Sequence, residues 1–427
     1  MEPHPIRVVV TDDRLRSRLT VFFRLILAIP HFIWLFLWSI AVFFAVIANW
    51  VATLVQGISP RGLHNFLAAY VRYATQFYAY LYLAANPYPS FDGSPGYPVD
   101  VEIDGPAPQN RWKVAFRLFL ALPALFLAAV LASNGWGSGG SGGSGRQADE
   151  TATWASASLS VAVTVAILAW FAILVRGRMP RGFRDLQAYV LRYGAQAWGY
   201  LLLLTDRYPD ANTEEPRPVE PVPPHPVRLV LTDDGARSRL TVFFRLLLIL
   251  PHLVWLVLWA LAAYLLAIPV WVVVLVRARM PDGLHRFYSA FVRYGTHVGA
   301  FGYLIANPFP GFTGTPGYPV DLEIDAPERQ NRWVVGFRFL LALPALLVLS
   351  ALGGAVFLVA LFGWFVSLAL GRMPVGLRNL GAYVLRYSGQ VYAYALLLTD
   401  RYPDSGPTQH RAEDDEARVE PSLEPAA

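Results

Sequence analysis

The chain contains no cysteine, which excludes disulfide staples, thiolate metal sites and cysteine nucleophiles together. Lysine is nearly absent as well: Lys113 stands alone, so the basic charge is an arginine charge. Charged residues make up 15% of the chain against 55% hydrophobic, too apolar a balance for soluble domains. The opening Met-Glu-Pro-His-Pro-Ile lacks the basic segment and apolar core of a cleavable export signal, so insertion is expected to use the first internal apolar segment. No hydrolytic triad or metal-spaced cluster stands out. The Gly-rich run at residues 137–145 lacks the strand-to-helix context and the lysine of a phosphate-cradling loop, and reads as a linker. No catalytic residue, metal or cofactor is expected.

What the chain has instead is long apolar runs and repetition. Residues 29–55 and 339–370 each exceed the roughly 18 apolar residues of a membrane-span candidate. The segment "SRLTVFFRLILAIPHFIWLFLW" from Ser17 recurs as "SRLTVFFRLLLILPHLVWLVLW" from Ser238, and "QNRWKVAFRLFLALPAL" from Gln109 recurs as "QNRWVVGFRFLLALPAL" from Gln330. Weaker similarity pairs Arg24 with Arg117 and Arg245 with Arg338. The chain therefore reads as four units in two halves. The first half, residues 1–209, holds units 6–98 and 99–209. A Pro-rich linker, 210–226, leads to the second half, 227–403, with units 227–319 and 320–403. An acidic tail, 404–427, reads as disordered.

Each unit carries a short alternating strand, an Arg-containing apolar segment with a proline, a second apolar segment, a basic turn and a Tyr-rich helix. On the "FRLxLxxPH" and "MPxGL...YVxRY...Y" patterns, the chain resembles the bacterial membrane proteins grouped as domain of unknown function 4389, over nearly its whole length and as two tandem copies. That resemblance implies a membrane location and no established activity.

The polar insertion at residues 133–156, rich in Gly and Ser, cannot rest in hydrocarbon with its backbone unsatisfied. Its equivalents fall near Ser39 and at Gly353 and Gly354, which predicts a helical hairpin turning there in every unit, with arms 19–38 and 40–57 in unit one. Every unit start is basic: Arg14, Arg16 and Arg18; Arg111 and Lys113; Arg237 and Arg239; Arg329 and Arg332. Positive loops stay cytoplasmic, so each unit is expected to cross an even number of times, about eight crossings in all, with the insertion facing outward. Re-entrant hairpins entering one leaflet are the competing topology, because the arms are short. The four strands are expected to pair into one small cytoplasmic β-sheet.

Two arginine series are candidate sites. Arg24, Arg117, Arg245 and Arg338 lie in the apolar segments, where a charge is costly. A structural role, reaching lipid phosphate or capping the sheet, is preferred to a substrate or ion pathway. Arg72, Arg192, Arg293 and Arg386 lie on the Tyr-rich helices, each followed four residues later by Gln76, Gln196, His297 or Gln390, which puts the pairs on one helix face. This stripe suits an amphipathic helix in the interface or beside the hairpin. Anionic headgroups are its preferred ligands, with Asp206 and Asp400 as alternative ion-pair partners. His31 and His252 read as packing histidines, since a proton relay would need partners that the sequence does not place nearby.

The expectation is thus a mainly α, polytopic helical membrane protein in the plasma membrane, both termini cytoplasmic. Its partners are expected to be anionic membrane lipids and not nucleic acid. A non-enzymatic scaffold or lipid-interacting protein is preferred to a transporter between pseudo-symmetric halves, and to a lipid enzyme, for which no catalytic set is recognisable.

Overall fold

Each unit opens with a strand, continues through a five-residue lead helix into a long apolar helix, and turns back through a Tyr-rich helix. The structure is a computed structural model that describes residues 3–132, 160–213 and 224–407. Residues 133–159, which include the insertion expected to face outward, residues 214–223 of the linker and the acidic tail beyond Pro407 lie outside the described residues. Unit one comprises β1 (Ile6–Val10), α1 (Arg18–Phe22), α2 (Arg24–Gln56) and α3 (Arg61–Leu81). Unit two comprises β2 (Val99–Ile103), α4 (Arg111–Ala115), α5 (Arg117–Ala132), α6 (Val161–Arg176) and α7 (Arg181–Leu201). Unit three comprises β3 (Val227–Leu231), α8 (Arg239–Phe243), α9 (Arg245–Leu248), α10 (Leu250–Arg277) and α11 (Asp282–Gly302). Unit four comprises β4 (Val320–Ile324), α12 (Arg332–Gly336), α13 (Arg338–Leu370) and α14 (Val375–Ala395).

The long helices correct the expected hairpins. α2 and α13 each run 33 residues without a turn, about 50 Å at helical rise. Ser39 stays helical and returns its hydroxyl to the Phe36 carbonyl at 2.6 Å. Gly353 and Gly354 also stay helical, and a Cβ on Gly354 would come within 2.9 Å of Val130, so this glycine serves a close crossing of α13 over α5. The eight crossings lose their basis with the turns. Among the described residues, three segments, Arg24–Gln56, Arg245–Arg277 and Arg338–Leu370, are long and apolar enough to cross a membrane. Each long helix stops at a left-handed residue, Gly57, Gly177, Ala278 or Gly371, and a proline opens the Tyr-rich helix three residues later.

Neighbouring units exchange ends. The start of unit two meets the end of α2 through Gln109 N–H donating to the Gly57 carbonyl, and the start of unit one meets the end of α6 through Arg16 N–H donating to Gly177. The second half repeats both bonds, from Gln330 to Ala278 and from Arg237 to Gly371. Since α2 is one rod between the two starts, those starts lie at its opposite ends. The 16-residue helices α5 and α6 must then lie end to end to cover the return, about 24 Å each. Lead-helix arginines seal the exchange: Arg18, Arg239 and Arg332 donate to the last-turn carbonyls of Val175, Ala369 and Val276 on the partner unit's long helix.

The Tyr-rich helices are not interfacial. They form the buried middle layer, with Tyr73, Tyr80, Phe77, Tyr294, Phe301, Tyr387 and Tyr394 almost fully enclosed. The long helices flank this layer, and the strands pack on α3, α7, α11 and α14. The strands form two antiparallel pairs instead of a single sheet, β1 with β2 (Ile6 opposite Ile103) and β3 with β4 (Val227 opposite Ile324). Alternation sends Ile6, Val8, Val99 and Val101 inward and leaves Arg7, Glu102 and Asp104 outside as an ion-paired face.

Two measurements check this packing. Gly314 has φ +62°, and a Cβ there would sit 2.3 Å from the Ala290 carbonyl oxygen, whereas Gly317, at φ +104°, faces open space. Gly314→Ala should therefore lower thermal stability in detergent by more than about 2 kcal/mol, and Gly317→Ala by only about 1 kcal/mol. His225 accepts from Val227 N–H at 3.0 Å, and burial, aided by Arg401, pulls its pKa down to about 4. The folded state keeps the ring neutral while the unfolded chain protonates it near its ordinary value of about 6.5, so stability should fall as pH drops from about 6.5 towards 4. His225→Asn should flatten that part of the pH profile.

Candidate functional site: four buried arginine clasps

The four intrahelical arginines sit at the start of the long helices, yet none is directed to solvent. Arg24 donates from Nη1 to the carbonyls of Tyr80 at 2.7 Å and Ala85 at 3.1 Å, with its guanidinium 4.3 Å over the Tyr80 ring. These acceptors are the C-terminal end of α3 and the loop beyond it, where Leu83 takes a left-handed φ of 66°. A helix C-terminus presents unpaired carbonyls and the negative end of the dipole, and a cation there satisfies both. Arg245 repeats the geometry on Phe301 and Ala306, at 2.6 and 3.0 Å, over the Phe301 ring. Arg117 and Arg338 do the same at Thr205 and Thr399, over Tyr200 and Tyr394. The sequence pointed to a structural role with lipid phosphate or the sheet as the target; the hydrogen bonds go instead to the C-terminal ends of the Tyr-rich helices and the loops beyond them.

A second donor completes each clasp, and it differs between odd and even units. In unit one, Arg16 donates to Leu83 and Ala84 and is itself held by buried Asp12 at 2.7 Å. In unit three, Arg237 does so to Leu304 and Ile305, held by Asp233 at 2.8 Å. The even units place glutamine at the equivalent position. Gln109 donates to the Leu203 carbonyl and accepts from Arg117 at 2.7 Å, and Gln330 bridges Leu397 and Arg338 in the same way. Asp206, in place of Asn86, then supplies a carboxylate to Arg117 at 3.1 Å. Asp206 thus belongs to the clasp of unit two, while Asp400 accepts from Asn331 N–H at 3.1 Å and acts on Arg338 through its charge, where the sequence offered both to the stripe. Arg16, Gln109, Arg237 and Gln330 were not singled out as site residues, although each stands eight positions before its clasp arginine in aligned repeats.

The stripe arginines face inward as well. Arg72 and Arg293 donate through Nε to the strand carbonyls of Val101 and Leu322, and lie 3.7 and 3.5 Å from Asp100 and Asp321. Arg192 and Arg386 donate to the carbonyls of Asn212 and Gly406. Gln76 donates to Ser94 and Asp100, and His297 meets Asp321 at 2.8 Å. Gln196 and Gln390 reach the strand carbonyls of Ile6 and Val227, and accept from Asp210 and Asp404 N–H groups. The stripe therefore docks strands and connecting loops onto the middle layer. His31 is enclosed by aromatic rings, bonded to Tyr73 OH at 2.8 Å and stacked on Phe91, and His252 repeats this with Tyr294 and Phe312.

These features define a mainly helical, repeat-built chain with apolar helices of membrane length. Segments 18–92, 152–211, 239–313 and 332–405, two in each half, match the family described as Domain of unknown function (DUF4389), and the chain belongs to that family. Comparisons with curated proteins and with solved structures returned no match.

The odd clasps lack the carboxylate of the even ones, and Arg245 Nη2 is buried with no partner. Asn307→Asp, which would give Arg245 the carboxylate that Asp206 gives Arg117, should stabilise unit three by about 1.5–3 kcal/mol, the range for hydrogen bonds to charged groups. Asp206→Asn should cost a similar amount in unit two. Denaturant unfolding of the two variants against the parent chain measures both.

Proposed function

We propose that the chain is a non-enzymatic membrane scaffold of the plasma membrane that acts through contact with anionic lipid and keeps both termini cytoplasmic. The observation that carries this reading is a fourfold anchor. Each lead helix exposes a large apolar residue directly beside an arginine: Leu19 after Arg18, Trp112 after Arg111, Leu240 after Arg239 and Trp333 after Arg332, each at least 70% exposed. An apolar or aromatic side chain next to a cation is the pairing that the headgroup boundary of an anionic bilayer accepts. The long helices supply the matching apolar surface, with Phe36, Phe43, Phe44, Leu265 and Ile268 among their exposed residues.

The interior supports the same reading. Clasp and stripe arginines direct their hydrogen bonds to the chain's own carbonyls, which suits a load of structure more than a moving charge. The halves meet along α13 against α5 and α6, through buried Val348, Leu352 and Ala355. A cleft between α3 and α7 is lined by Leu35, Tyr70, Val71, Val190 and Trp198. Its apolar lining offers a charged solute little to replace its hydration.

Co-sedimentation of the purified full chain with vesicles tests the proposal. Binding should rise several-fold when anionic lipid is added to zwitterionic vesicles, and Trp112→Ser with Trp333→Ser should weaken it by about tenfold or more, the scale of burying two large apolar side chains. Equal binding by parent and double variant would remove the anchor.

A further inference from the structure

The helices α2 and α13 each run 33 residues without a break, and this bears on how the molecule meets a bilayer. A rod of about 50 Å exceeds the hydrocarbon core by about 20 Å. Exposed apolar residues nevertheless continue from end to end: Phe339, Leu343, Leu347, Phe357, Leu361 and Phe365 follow one another along α13, with Leu370 exposed at its last position. A spanning helix of this length would bring such residues out through the headgroups at both ends.

Three further observations disagree with a spanning orientation. Both ends of α2 are basic, with Arg14, Arg16 and Arg18 at one end and Arg111 and Lys113 at the other, because the two unit starts are tied to opposite ends of the rod. Spanning would put basic clusters on opposite sides of the membrane, against the charge bias that orients membrane proteins. The strand pair lies between those ends: each strand reaches its lead helix through seven residues, at most about 25 Å of chain. Its outer face carries Arg7 paired to Glu102 and Asp104, all substantially exposed, and spanning would carry this two-stranded ladder into hydrocarbon. Finally, the return is broken between Ala132, the last residue of α5, and Val161, the first of α6, and in a spanning rod these two helix ends would fall at the centre of the bilayer.

We propose that the chain is monotopic: its long helices lie in the membrane plane, sunk into a single leaflet, with the strand pairs and all basic ends at the cytoplasmic headgroup surface. A helix about 10–12 Å across fits a leaflet of about 15 Å. The partner is one leaflet of an anionic bilayer. All four basic starts then share one side without any turn inside the apolar segments, and the strand charges stay in water.

The inference rests on the membrane reading above, and the absence of cysteine makes its test free of background. Ser17→Cys and Ala107→Cys mark the two ends of α2, and Glu102→Cys marks the outer strand face; all three positions are exposed. Each variant of the full chain is treated with a membrane-impermeant maleimide, in sealed inverted vesicles and in intact cells. Labelling of all three in inverted vesicles and of none in intact cells is the expected result. Labelling of Ser17→Cys and Ala107→Cys from opposite sides overturns the inference, as does a Glu102→Cys that reacts only after detergent is added. Glu328→Cys with Ser238→Cys repeats the test in the second half, should a first-half variant fail to accumulate. Recovery of the chain in the soluble fraction would instead defeat the membrane reading itself, so the two failures are distinguishable.

Discussion

The fold depends on one constraint: a helix C-terminus buried among apolar helices must find partners for its last carbonyls. Each Tyr-rich helix ends inside the molecule, next to the start of a long helix, and no water reaches Tyr80 or Phe301. The clasp arginine supplies the donors from the long helix of the same unit. The guanidinium fork suits the task because it reaches two carbonyls separated by a left-handed turn while its face rests on the aromatic ring below. A lysine would offer a point charge and no plane to stack. The near absence of lysine, which looks like a matter of composition, therefore coincides with a structural demand at these four positions.

Charge at the clasps is balanced in two ways. The odd units combine two arginines with one buried aspartate, and the even units combine one arginine and one glutamine, with Asp206 paired to Arg117 in unit two and Asp400 acting on Arg338 through its charge in unit four. The odd arrangement leaves one positive charge in excess, and the even one leaves none. Both ends of each half thus carry a clasp, but the ends are electrostatically unlike.

Much of the architecture is legible in the residues. The 221-residue offset, the strand alternation and the arginine-to-glutamine spacing mark the four units and the helices that carry the polar stripe. Position misleads where burial decides. Arg24 stands at the depth of a snorkelling residue, yet Tyr80 and the loop after it close over the guanidinium. The stripe on α3 has the amphipathic spacing of an interfacial helix, but its polar side is covered by strands that lie more than twenty residues away in sequence. Gly353 and Gly354 resemble a turn because glycine permits one; at Gly354 the missing side chain serves instead to let α13 approach α5. No local pattern separates these alternatives, because each depends on what packs against the residue.

The exchange of ends explains why the units come in pairs. Alone, unit one would leave the carbonyl of Gly57 and the N–H of Arg16 without their observed partners, and the stripe on α3 would lack β2, which supplies the acceptor for Arg72. Unit two satisfies all three, and it needs unit one in return for Gly177, Gln109 and the contact of Gln196 with Ile6. A pair is therefore the smallest closed piece. Two pairs then meet where α13 crosses the junction of α5 and α6, and Asn379 of the second half bonds Asn212, at the start of the linker, at 2.8 Å. The two pieces of the return are held independently, α5 by the clasp of unit two and α6 by the lead helix of unit one.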